Sequence, residues 1–440
     1  MRSGGTKQNR VADWVGTRIH KGIIAIIVSL LGAALLDRDR VLFAGESINI
    51  GEILFGIYLL AYLLFKLASN PHSLIKFNVP YKDFSFPFLL FVAWTGLSWA
   101  INTIFIDGEL HDLFGVTFRL GYYYVMLLFI AQWVRRYNPQ TVIYPFCGSV
   151  LLFFFMNYRS AFIEAATLPH AINVTNFSGI MLPVCSLYFA LLYCFKRSIL
   201  TLLLAMISYW AAILVYSLGA YVSMAMALPV LIVIVNDYWK SKKYHRFVKY
   251  ATAVGVIICA FYVINNFPSE IEIIKQFINN KINNLSFTEE GQQGDQSMDY
   301  RIGHFQSSLA MVAMNPLFGV GEFNWEREND KNAEWVRAYV ANDNPHNAFA
   351  QVFSMYGIPA FIFFVWSIYA VFKKLFALRL LLKWKWKLFV SFTAITFIGG
   401  ANTMSPFFNT YYFLIFAGVV FGIYDNIRHI RYRPGLKNAS

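Results

Sequence analysis

Apolar residues run along this chain in blocks of about twenty, separated by short polar segments, a spacing that predicts membrane-crossing helices. A hydrocarbon layer about 30 Å thick needs roughly 20 helical residues to cross it. Stretches that meet or approach this length lie at 20–36, 48–66, 84–104, 115–134, 140–158, 173–195, 198–217, 219–238, 248–267, 347–372, 387–404 and 407–426. They predict an all-α, polytopic integral membrane protein with about 12 transmembrane helices, residues 1–440 forming a single transmembrane domain. The ninth and tenth helices are separated by a much longer segment, 268–346. Within it Tyr300 to Met314 has helical apolar spacing and stops before Asn315-Pro316, whereas 291–295 is polar and contains glycine. Irregular segments of that length are uncommon unless they are functional or disordered. We therefore expect 268–346 to be a partly helical subdomain that carries part of a site.

The polar residues test this topology, because Lys and Arg accumulate in cytoplasmic loops. Lys66, Lys76 and Lys82, Arg135 and Arg136, and Lys196 and Arg197 fall on the side of the basic N-terminus. So do Lys240 to Arg246, Lys373 to Lys387, and Arg428 to Lys437. On the other side lie Asp107, Glu109 and Asp112 and the long segment, which holds twelve acidic residues against six basic ones. Both termini are thus expected in the cytoplasm. The formal charge of +13 divides into −6 for the long outer segment and +19 for the remainder. It reflects topology and gives no reason to invoke nucleic acid. Only 14% of residues are charged and 58% are hydrophobic, which excludes an ordinary soluble domain. Arg2 to Lys21 before an apolar run imitates a secretory signal, but Asp37-Arg38-Asp39-Arg40 follows without a small-residue cleavage site, so an uncleaved first helix is expected. The four cysteines lie in apolar stretches without metal-ligand spacing, and neither a disulfide framework nor a zinc site is expected.

Polar residues at the outer helix ends are where chemistry on a headgroup would take place. Asn342-Asp343-Asn344-Pro345-His346-Asn347 leads into the tenth helix, with Gln351 one turn further in. A histidine there titrates near neutrality and can take a proton from an attacking hydroxyl, while Asn344 and Asn347 can orient it. The same residues also read as a polar helix cap. Arg301, in the loop helix, suits a diphosphate because guanidinium binds phosphate oxygens through two hydrogen bonds. A surface ion pair with Asp299 is the alternative. His304, one turn on, either shares that site or packs structurally. Arg119 lies about one turn inside the outer boundary of the fourth helix, where an arginine is costly unless paired or snorkelling. Arg159, just outside the fifth helix, is a weaker candidate of the same kind. Phe318-Gly319-Val320-Gly321 imitates half a nucleotide-binding glycine motif but has no strand before it, so a phosphate cradle is rejected. Tyr122-Tyr123-Tyr124 reads as a sugar or prenyl contact, or as interfacial packing.

Arg301 to Trp325 (RIGHFQSSLAMVAMNPLFGVGEFNW), followed by Asn344 to Phe364 (NPHNAFAQVFSMYGIPAFIFF), resembles the O-antigen ligase and polymerase superfamily. In that family an arginine begins a loop helix, a Pro-Leu-Phe-Gly-x-Gly turn follows, and a His-Asn pair opens a helix. The resemblance implies a metal-independent glycosyltransferase that moves a glycan from undecaprenyl diphosphate to a second acceptor. It would sit in the bacterial inner membrane with its active site facing the periplasm. By position His346 resembles the family's essential histidine and Arg301 its loop arginine. A second family arginine, at the outer end of the seventh helix, is absent: the stretch reads Ser217-Leu218-Gly219-Ala220. Arg119 is the preferred substitute and Arg159 the second. Within the family the ligase, which transfers finished glycan to lipid A-core, is favoured by the twelve spans and the histidine-bearing loop. A polymerase of O-antigen or exopolysaccharide, which extends undecaprenyl-linked chains, follows closely, and a protein O-glycosyltransferase ranks third. From another class, a lipid-linked glycan flippase or transporter would place ionisable residues at mid-membrane and break helices in both halves. The polar residues gather at one face instead.

Overall fold

The apolar blocks fold as helices. The computed structural model describes residues 7–34, 41–43, 46–48, 50–69, 81–104, 116–157, 172–196, 198–215, 223–225, 227–228, 296–321, 324–331, 347–382 and 412–431. Helix α1 (Lys7–Ala34) is followed by strands β1 (Val41–Phe43) and β2 (Glu46–Ile48), then α2 (Ile50–Ser69) and α3 (Lys82–Asn102). Next come α4 (Val116–Arg136), α5 (Gln140–Asn157), α6 (Ile172–Lys196) and α7 (Ile199–Ile213). Beyond them lie α8 (Gln296–Met314), α9 (Trp325–Lys331), α10 (Ala348–Leu382) and α11 (Tyr412–Arg431). The all-α expectation needs one small amendment, since β1 and β2 pair antiparallel as a three-residue ladder in the loop between α1 and α2.

Three helices, Ile50–Ser69, Lys82–Asn102 and Ala348–Lys374, are long and apolar enough to cross a membrane. Thr117–Arg136 and Gln140–Met156 pass that test only together, with a bend of 119° between them, which makes up to four candidates among the described residues. Met181–Ala190, Ile199–Ala212 and Leu414–Asn426 are shorter apolar helices. The ninth and eleventh predicted spans lie outside the described residues, and the eighth is described only at 223–225 and 227–228. The last predicted span is described from Tyr412 onward, its first five residues lying outside the described residues.

Packing follows small residues. α11 runs parallel to α4, and a Cβ on Gly418 would come within 2.8 Å of the Leu127 carbonyl oxygen, one on Gly422 within 2.6 Å of that of Ala131. Lipid offers no hydrophobic drive between helices, so close backbone approach at a small-xxx-small pair supplies the contact instead. The outward surface remains apolar: Leu60, Leu64 and Phe65 on α2 are all exposed. The basic ends are tied together at one side. Asp83 at the start of α3 lies 3.8 and 3.7 Å from Lys373 and Lys374 near the far end of α10, so the two helices are antiparallel. Asp425 of α11 accepts a 2.9 Å hydrogen bond from the Tyr81 hydroxyl and lies 4.0 Å from Arg135. Burial, and then the charge of Asp425, push the Tyr81 phenol well above its ordinary range and keep it a donor.

The opposite end is held by a break in a helix. α10 is interrupted at Gly357, whose φ of 83° and ψ of 179° leave a short first limb and a longer second one that begins at Ile358-Pro359. A break within the bilayer strands amides and carbonyls that lipid cannot satisfy. The segment Pro316 to Gly321 satisfies them. The Val320 and Gly321 amides donate to the carbonyls of Ser354 and Met355, each at 2.9 Å, and the Ile358 amide donates to the Pro316 carbonyl at 2.8 Å. α3 secures the loop from its other side through Trp94, Ser98 and Asn102, spaced four residues apart. Trp94 Nε1 donates to the Leu317 carbonyl at 3.1 Å, Ser98 Oγ donates to that of Phe318, and Asn102 Nδ2 reaches the same oxygen at 3.4 Å. The Trp94 and Phe318 rings stack at 5.4 Å. A Cβ on Gly357 would run into the Leu317 backbone, and one on Gly319 (φ 64°) into Ser354 and Met355.

Two substitutions test this packing in the full-length protein. Gly357→Ala places an L side chain at positive φ with extended ψ, a conformation essentially confined to glycine, at about 1–3 kcal/mol before any clash, and should lower the apparent melting temperature. Gly422→Val overpacks the α4–α11 contact, typically by about 1–3 kcal/mol, and should do the same. Parental melting of either variant would refute the corresponding contact.

Candidate active site

The first limb of α10 starts at the end of the molecule remote from the basic clusters. Asn347 caps it: its Oδ1 accepts hydrogen bonds from the Phe349 amide at 2.9 Å and the Ala350 amide at 3.1 Å. The helix-cap reading of this polar run therefore holds for Asn347, whose carboxamide oxygen serves the helix start. His346 comes directly before it in the chain, and His346 and Asn344 lie outside the described residues. Gln351, one turn inward, is 5% exposed, and its Oε1 has no hydrogen-bond partner among the described residues.

α8 packs against this limb and against α9. Its buried positions, His304, Ser307, Ser308, Met311 and Val312, recur at helical spacing, whereas Phe305 and Leu309 point outward. The helix thus buries three polar residues alongside Met311 and Val312 while turning Phe305 and Leu309 outward. Arg301 stands one turn before His304, on α8. The His304 ring lies 5.2 Å from that of Trp325 at the start of α9. Trp325 Nε1 donates to Ser354 Oγ at 3.2 Å, and Ser354 Oγ donates to the Ala350 carbonyl at 2.8 Å. Trp325 thereby links α8, α9 and α10 into one unit.

Arg119 is half-buried near the start of α4. A Cβ on Gly96 of α3 would meet Thr117 at 3.2 Å, and one on Gly321 would meet the Asn102 side chain at 3.0 Å, so α3 joins the start of α4 to the loop at Gly321. Arg119, Asn347, Gln351, His304 and the helix bearing Arg301 therefore gather at one end of the bundle. Arg159 lies outside the described residues. The tyrosine run has a structural role: Tyr122 donates to the Glu52 backbone carbonyl and Tyr123 to its Oε1.

Three groups of residues escaped the sequence reading. Glu52 is a buried carboxylate near the start of α2. Its position two residues into an apolar span was a readable signal, because membrane carboxylates are rarely idle. Trp94, Ser98 and Asn102 were readable as a polar stripe at four-residue spacing. Ser307 and Ser308 pass for neutral helix residues, and only the packing of α8 shows them buried.

Among the described residues, this end combines Arg119, His304 and a neutral polar seam on α8 and α10, with apolar residues of α8 turned outward. Such a set suits transfer of a polar group away from a lipid-linked anion. A family model described as O-antigen ligase matches residues 202–365. A comparison with curated proteins gives no match. The matched segment takes in α8, the Pro316–Gly321 loop, α9, the first limb of α10 and the start of the second. It also contains both sequence blocks that carry the family resemblance. This match over residues 202–365 supports a likeness to the O-antigen ligase and polymerase superfamily, membrane enzymes that act on lipid-linked glycans.

Proposed function

We propose that the protein is an O-antigen ligase of the bacterial inner membrane, with both termini in the cytoplasm. It takes a glycan from undecaprenyl diphosphate and transfers it to lipid A-core on the periplasmic side. The observation that carries this reading is the clasped break in α10. The family-matched segment builds a rigid, capped helix start immediately after His346, at the end of the bundle remote from its basic clusters.

In the proposed reaction His346 removes the proton from the acceptor hydroxyl as that oxygen attacks the anomeric carbon of the glycan. The bond from that carbon to the diphosphate oxygen breaks, and undecaprenyl diphosphate leaves with the electron pair. Arg301 and Arg119 hold the diphosphate as charge develops on it, Arg119 standing in for the family arginine absent at Leu218. Arg159 is the second candidate for that duty. Asn347 and Asn344 set the helix start and the histidine beside it, while Gln351 and His304 line the seam beneath. Such a reaction needs no metal or organic cofactor.

Reconstitution with undecaprenyl-diphosphate glycan and purified lipid A-core tests the assignment: glycan should appear on lipid A. Longer undecaprenyl-linked chains would instead identify a polymerase. His346→Ala should reduce transfer by roughly 10²–10⁴-fold, the usual contribution of a general base, and leave the donor untransferred. Undiminished transfer would remove His346 from the mechanism. Arg119→Ala should also impair transfer, and full activity in that variant alongside loss in Arg159→Ala would reassign the phosphate contact.

A further inference from the structure

The seam between α8 and α10 holds more polar groups than this chemistry uses. Ser307 is 0%, Ser308 1% and Gln351 5% exposed, and their Oγ, Oγ and Oε1 atoms make no hydrogen bond among the described residues. Buried polar atoms in native proteins almost always have a partner. Three such atoms on two packed helices, beside a helix whose apolar residues face outward, point to groups kept for a ligand. Their chemistry limits what that ligand is. Two hydroxyls and a carboxamide are neutral, and each can both donate and accept. An anion would call for cations and a metal ion for carboxylates or imidazoles. Neutral groups that both donate and accept suit the hydroxyl groups of a sugar ring.

We propose that Ser307, Ser308 and Gln351 form an uncharged subsite that binds the hydroxyls of the sugar being transferred, the ring joined to the diphosphate of the donor. This rests on the glycan-transfer reading above. In any such reaction the transferred ring lies between the leaving phosphate and the attacking hydroxyl. Ser308 stands two turns beyond Arg301 on α8, and Gln351 stands five residues beyond His346. The subsite thus lies on the helix that bears Arg301 and on the helix that follows His346 in the chain. It selects for the hydroxyl pattern of the donor ring and leaves the charge chemistry to the arginines.

The test uses the full-length protein in proteoliposomes, with donor and acceptor titrated separately for Gln351→Leu and for the smaller change Ser308→Ala. The expected result is a rise in the donor KM of roughly five- to tenfold per lost hydrogen bond. The acceptor KM and the melting temperature should stay at parental values. If the variants transfer glycan with parental KM for both substrates, or lose activity only in step with lost melting temperature, the polar seam is structural and the proposal fails. A rise confined to the acceptor KM overturns the assignment to the donor ring. No transfer by the parental protein would instead overturn the glycan-transfer reading itself.

Discussion

A helix cannot be broken inside a bilayer unless something else bonds the backbone it exposes. In this protein the break at Gly357 is closed by three backbone hydrogen bonds to the Pro316–Gly321 segment, and the rest of the outer end depends on them. They let the first limb of α10 take a direction of its own and hold its capped start at the surface. They also anchor α8, which leads directly into Pro316, against that limb. The glycines at 319 and 357 are required twice, by backbone conformation and by closeness to the opposing strand of chain. What resembles a phosphate-binding glycine loop in the sequence is the clasp of a discontinuous helix.

The two ends of the bundle are organised by different forces. At the basic end, long lysine and arginine side chains reach single acids, Asp83 and Asp425, through partly exposed pairs of modest worth. At the other end the contacts are buried and directional: Ser98 and Asn102 to Phe318, Trp325 to Ser354, Asn347 to its own helix. Such bonds matter more where water is scarce, because the alternative is an unsatisfied group. The burial of His304, Ser307 and Ser308 on α8 belongs to the same end.

Much of this architecture was legible in the chain. Apolar block length located α2, α3, α4 and the start of α10 to within a few residues, because span length is fixed by the thickness of the bilayer. Charge asymmetry sorted the helix ends, and Arg135, Lys373 and Lys374 do meet at one side. The break at Gly357 was less visible. Gly-Ile-Pro is a plain interruption signal, but the surrounding residues are apolar enough to read as one span. Asn347 illustrates a different limit: cap and substrate contact call for the same residue type, and only the 2.9 Å bond to the Phe349 amide separates them. The buried polar face of α8 was hidden for a related reason, since Ser307 and Ser308 become meaningful only once the helix has a partner.

The assigned roles of His346, Arg301 and the seam all presuppose a fixed first limb, and the clasp is what fixes it. Amide hydrogen exchange at Val320 and Gly321, measured on the full-length protein in lipid nanodiscs, examines it directly. Both amides should exchange as slowly as those in the middle of α3, although they belong to a turn. Exchange at the rate of an open loop would contradict the clasp and the geometry built upon it.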